Sequence, residues 1–106
     1  MLGAMDEIQW AEIEEHLAGR SFRGTINEIQ SALETMTDPF ERSGLLALMA
    51  ACYLPLASKY EFRKNDRRTG RKYLADSEAT YIRAVHACRS NLSAWLDAAF
   101  FYLREG

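Results

Sequence analysis

Two histidines and two cysteines are the side chains in this 106-residue chain best suited to metal or nucleophilic chemistry, and their spacing argues against both. His86 and Cys88 are two apart, His16 and Cys52 stand far from them, and no C-x-x-C or H-x-x-x-H pair occurs. Zinc sites draw on such pairs because a single turn then presents two donors to one ion. No serine, cysteine or histidine stands in a nucleophile motif, and no glycine-rich loop offers its amides to a phosphate. The expectation is a non-enzymatic protein with no catalytic residue, no metal and no cofactor. Cys52 and Cys88 are too few and too far apart for a secreted disulfide framework, so they are expected to be buried, reduced thiols in a cytoplasmic protein.

Charge is the second chemical resource, and it is segregated. The net charge is −2, yet residues 1–41 hold nine acidic and two basic side chains, residues 42–72 hold eight basic and two acidic, and the remainder is nearly balanced. Arg63, Lys64, Arg67, Arg68, Arg71 and Lys72 form one basic cluster. Three readings are open for it: a solvated loop or internal pairing with Glu12, Glu14 or Glu15; recognition of an acidic protein surface; or contact with nucleic acid. Only Tyr60, Phe62 and Tyr73 lie near enough to stack on bases, which makes nucleic acid the less favoured partner.

These side chains must be positioned by helices. Hydrophobic residues make up 48% of the chain, which is enough for the core of one domain, and no strand-like alternation is present. The expected fold is an all-α, single-domain bundle of about five helices spanning 1–106, to which residues 1–5 contribute no element. A first helix from Asp6 to Gly19 carries Trp10, Ile13 and Leu17 on one stripe, with Ile8 off it. A second is marked by Phe22, Ile26, Ile29, Leu33 and Met36, with Ser21 or a Thr25–Glu28 capping box at its start. Asp38-Pro39 restarts the chain as a helix apolar on nearly all sides from Leu45 to Leu56, hence central, with a kink at Pro55 and a continuation to Phe62. The uncharged stretch 43–58 is shorter than the ~20 apolar residues of a membrane span and contains Gly44 and Pro55, so no membrane contact is expected. A loop is predicted near Asn65–Gly70, then a fourth helix from Lys72 to Cys88 that buries Leu74, Ser77, Tyr81, Ala84, Val85 and Cys88 and turns Asp76, Thr80 and Arg83 away. Ser90 or Asn91 caps a fifth helix.

That fifth helix is apolar over roughly 200° of its circumference, from Leu92, Trp95 and Leu96 to Tyr102 and Leu103. One neighbouring hairpin covers about half of such an arc. Phe100, Phe101 and Leu103 are therefore the expected contacts of a partner or homodimer, with Phe100 and Phe101 at opposite borders of the arc.

Tyr81 and Ala84, followed by Trp95, Ala98, Ala99, Tyr102 and Gly106, place small and aromatic residues at the intervals two close-packed helices need. In this the stretch resembles a junction between tetratricopeptide repeats, with Arg89 where that family has proline and a fainter echo at Leu46, Met49, Ala50 and Tyr53. The stretch from Tyr53 to Ala84 exceeds the corresponding part of a repeat, which lengthens the helices or their loop. The resemblance implies antiparallel hairpins, right-handed packing, and burial of Tyr53, Ala84, Trp95 and Ala99 at one junction. It also implies a function in the class of adaptors, chaperone-like binders or inhibitors of larger complexes.

Overall fold

Helix follows helix through the described chain, which in this computed structural model comprises residues 7–105, with side chains from residue 9. The helices are α1 (Glu7–Ala18), α2 (Phe22–Leu33), α3 (Pro39–Ser58), α4 (Arg67–Ala87) and α5 (Leu92–Glu105), with a π-helical turn, Lys59–Arg63, extending α3. The expectations for residues 1–5, the Asp6 helix start, the Ile8 side chain and Gly106 lie outside the described residues. The rest form one all-α domain in which sequential neighbours pack antiparallel.

The α3–α4 hairpin is the spine. Asp38 caps α3 by accepting from the Glu41 amide at 2.8 Å, and Pro39 occupies a first-turn position where no amide is needed. Leu45, Leu46, Ala47, Met49, Ala50, Cys52, Leu56 and Ala57 are all buried, so the all-round apolar pattern does mark the central helix. Small residues let α4 come close. The Ser77 hydroxyl donates to the Ala50 carbonyl at 2.8 Å across the pair, and at Gly70 an added Cβ would sit 3.0 Å from the Ala57 carbonyl oxygen.

Gly70 therefore does not end a loop, as expected, but lies buried in the first turn of α4. The loop shrinks to Lys64–Asp66, because Asn65 takes the left-handed backbone (φ 52°) and Asp66 caps α4. The Asp66 carboxylate accepts from the Thr69 amide (3.2 Å) and hydroxyl (2.7 Å). These bonds, the hydroxyl's first, hold its pKa below the ordinary value. The extra length between Tyr53 and Ala84 thus goes into helix.

Four other expectations change. Ser21 precedes α2 without a side-chain cap bond, and Thr25 is buried inside the helix with its hydroxyl on the Ser21 carbonyl, so no capping box forms. Of the α1 stripe only Ile13 is fully buried; Trp10 is exposed because, among the described residues, α1 packs against α2 alone. Thr80 is buried and satisfies its hydroxyl on the Asp76 carbonyl one turn back. Cys52 lies in the core, where burial raises its thiol pKa to about 11, whereas Cys88 is only half-buried at the end of α4 beside Ser90.

A polar joint fixes where α5 leaves α4. The last four carbonyls of a helix have no intrahelical partner, and Ala84 is the first of these in α4. Ser43 on α3 donates to it at 2.7 Å, and the Ser43 oxygen accepts from Asn91 Nδ2 at 3.0 Å. Asn91 Oδ1 faces the Ala94 amide at 3.4 Å, which makes Asn91 the N-cap of α5. Each group of this buried chain has one role only, so the orientation of the Asn91 amide follows.

Candidate functional site

The α3–α4 hairpin brings its basic cluster to one end of the molecule, where the π-helical turn passes into α4. Arg63, Lys64, Arg67, Arg68, Arg71 and Lys72 are all exposed there. Lys72 lies 3.5 Å from Asp76, and Arg68 is near enough to the capping Asp66 to help hold it ionised. Among the described residues no ion pair joins any of the six to Glu14 or Glu15.

Two further cations reach this end from a different part of the chain. Gly19, Arg20 and Ser21 close α1 with amides on Glu15, Leu17 and His16, and Arg20 takes the left-handed position (φ 57°) that such a helix ending usually gives to glycine. Its guanidinium lies 6.0 Å from the Phe22 ring centre. Arg23, in the first turn of α2, donates to the Tyr73 hydroxyl and lies 3.5 Å from that of Tyr60. The Tyr73 bond raises the Arg23 pKa further. Tyr53 stacks on Tyr73 with ring centres 6.0 Å apart, and Tyr60 meets Tyr73 at a tilt with centres 5.5 Å apart.

Between the start of α2 and the end of α3 with its π-turn lies an open cleft of about 650 Å³. Arg20, Arg23, Lys59 and Arg63 line it together with Phe22, Tyr60 and Phe62, and among the described residues no acidic side chain does. Phe62 is 76% exposed and also borders a second cleft between the π-turn, α4 and the end of α5. Of the cleft's cations, the sequence reading contained Arg63 alone. Lys59 stands four residues outside the basic run, and Arg20 and Arg23 belong to a stretch whose sequence signal is acidic; their membership is tertiary.

The second surface is α5. Ala94, Ala98 and Phe101 are its buried residues, with Phe101 packed on Tyr81 at 5.6 Å between ring centres. Of the three expected contact residues, Phe100 and Leu103 are exposed and Phe101 is not. Trp95 and Ala99 are exposed as well and Tyr53 is half-buried, so of the predicted junction only Ala84 is fully enclosed. The joint at Asn91 fixes the start of α5, and from there Ala94, Ala98 and Phe101 turn inward. Trp95 and Tyr102 instead border an apolar groove of about 350 Å³ between α4 and α5, with Ile82, Val85 and Ala98.

Among the described residues no three metal-ligating side chains converge, and no helix is long and apolar enough to cross a membrane. The chain matches no family model, no curated protein and no solved structure.

Proposed function

We propose that this protein is a non-enzymatic binding module that takes an acidic segment of a partner protein into the cleft between α2 and the π-turn. The observation that carries this reading is the lining of that cleft: four cations from two separate stretches meet around Phe22, Tyr60 and Phe62, with no carboxylate among the described lining residues. Cations at a cleft wall raise the local concentration of an anionic partner, and the rings offer an apolar floor for a residue beside its carboxylates. The outlying Lys64, Arg67, Arg68 and Arg71 extend the same field and steer approach.

A second reading is favoured by one feature, the exposed Phe62 ring beside Arg63, which suits base stacking in single-stranded nucleic acid. The two separate in a titration of fluorescent probes: a glutamate-rich peptide with one internal leucine, and a pyrimidine oligonucleotide of similar charge. The peptide should bind, with association slowed in a variant carrying Arg20→Glu and Arg63→Glu and in one carrying Arg67→Glu and Arg68→Glu. Binding of the oligonucleotide alone, with a steep salt dependence, moves the assignment to nucleic acid. Binding of neither refutes both.

A further inference from the structure

Leu92, Leu96, Ala99 and Leu103 follow one another at intervals of four, three and four residues, the alternation by which two helices keep a common seam in contact. All four are exposed, Leu92 at 73% and Leu103 at 80%. At about 100° per residue they fall within about 60° of one another, on the side of α5 opposite Ala94, Ala98 and Phe101. The helix is thus apolar on two opposed faces, and α3 and α4 cover only one. We propose that the outer face is the dimerisation seam of the protein, occupied by α5 of a second copy running antiparallel.

Three observations choose this occupant. First, the seam carries no charge: Asp97, Arg104 and Glu105 lie off it, so pairing with a copy of itself buries no ion and opposes no like charges. Second, its residue sizes are self-complementary only in the antiparallel sense. With the two-fold axis between Asp97 and Ala98, each Leu96 meets the small Ala99 of the second copy, and each Leu92 meets a Leu103. A parallel pairing sets Ala99 on Ala99 and leaves a gap, which a packed seam tolerates poorly. Third, the area suffices. The uncovered surface of Leu92, Leu96 and Leu103 on the seam is on the order of 400 Å², and Trp95, Phe100 and Tyr102 on its two flanks bring the total to on the order of 800 Å², close to what each partner buries in a stable interface when the flanking rings fold against the second copy. Isologous pairing is also the commonest symmetry of soluble oligomers. The inference is independent of the cationic cleft.

Analytical ultracentrifugation of the full chain, from nanomolar to high micromolar concentration, should show a monomer–dimer equilibrium. Leu96→Glu places a carboxylate on the seam twice per dimer and should raise the dissociation constant about 100-fold or more. Ser93→Glu, off the seam, should leave it unchanged. Leu96 is 58% exposed, so the variant should retain its helical circular dichroism and melting behaviour at dilutions where both proteins are monomeric. In a background with Cys52 and Cys88 replaced by Ala, oxidising a mixture of Leu96→Cys and Ala99→Cys chains should give chiefly the mixed disulfide. A wild-type monomer at high micromolar concentration overturns the proposal, as does a dimer indifferent to Leu96→Glu. Predominant Ala99→Cys self-linkage overturns the antiparallel arrangement.

Discussion

Replacing Ser43 by Ala tests whether one hydroxyl holds the end of α4 and the start of α5 together. The hydroxyl donates to the Ala84 carbonyl at 2.7 Å and accepts from Asn91 Nδ2 at 3.0 Å, and Ser43, Ala84 and Asn91 are all buried. Its loss leaves two buried polar groups without partners, each costing about 1–3 kcal/mol, and the methyl that remains restores neither bond. The expected loss is therefore about 2–4 kcal/mol, a large part of the 5–15 kcal/mol typical of a domain. For a chain of this length it corresponds to a fall of about 10–20 °C in Tm. Urea unfolding followed by circular dichroism measures it directly. Asn91→Ala loses the same bond together with the cap on the Ala94 amide, so the double variant should lose less than the two single losses added, by about 1 kcal/mol. A Ser43→Ala protein within 0.5 kcal/mol of wild type, against the about 2 kcal/mol minimum expected here, or strictly additive losses, would refute the joint as a coupled unit.

Arg20→Gly should relieve the left-handed backbone at φ 57° and raise stability by about 0.5–1 kcal/mol in denaturant melts while weakening binding of the acidic peptide; lower stability would show that the strain is not there. Gly70→Ala should destabilise despite the better helix propensity of alanine: the new Cβ meets the Ala57 carbonyl oxygen at 3.0 Å and the Glu61 backbone nitrogen at 3.3 Å, so a net loss of about 1 kcal/mol is expected by urea unfolding. Thiol titration of the native protein with a disulfide reagent should label half-buried Cys88 rapidly, and Cys52, buried with its pKa raised to about 11, only on unfolding. Burial, chiefly, raises the pKa of both Tyr53 and Tyr81, so the fold favours their neutral form. The stability they contribute is complete below the unfolded tyrosine value of about 10 and is lost as pH rises through their folded values; urea midpoints and tyrosinate absorbance above that pH should report it.

Local chemistry was legible at the starts of α3 and α5, though not at α2, where the Thr25 hydroxyl turns back onto the Ser21 carbonyl instead of capping. Asp38-Pro39 specifies a helix start within two residues, Ser90 and Asn91 both suit a cap and the Ala94 amide selects Asn91, and the unbroken apolar girth of Leu45–Leu56 has no stable setting except the centre of a bundle. Where a distant contact decides, the same residue types mislead. Gly70 follows five basic or polar residues and reads as punctuation, but its missing side chain serves the passage of α4 across Ala57. On α5 the expected junction residues Trp95 and Ala99 face outward, while Ala94, Ala98 and Phe101 face inward, from a start where Asn91 is anchored to Ser43, 48 residues away. Of the four cations in the cleft only Arg63 was visible. A run of like charges announces itself in any sequence, whereas Arg20 and Arg23 join it only through the turn between α1 and α2.

The π-helical turn after α3 has a consequence for how the cationic end behaves in time. Pro55 supplies no amide to the carbonyl one turn before it, and the turn from Lys59 to Arg63 closes on the wider Lys64-to-Lys59 bond, at 3.0 Å, without one fully buried side chain. Its amides should therefore exchange with solvent by local opening, at a free energy well below that of global unfolding, while those of Leu45–Cys52 exchange only when the whole domain unfolds. A partner seated against Lys59, Tyr60 and Arg63 would close that opening. Occupancy of the cleft is thus expected to be recorded as protection of one short segment, and part of the binding energy goes into ordering it. The molecule would then bind its target with its least stable turn while its most stable hairpin holds still.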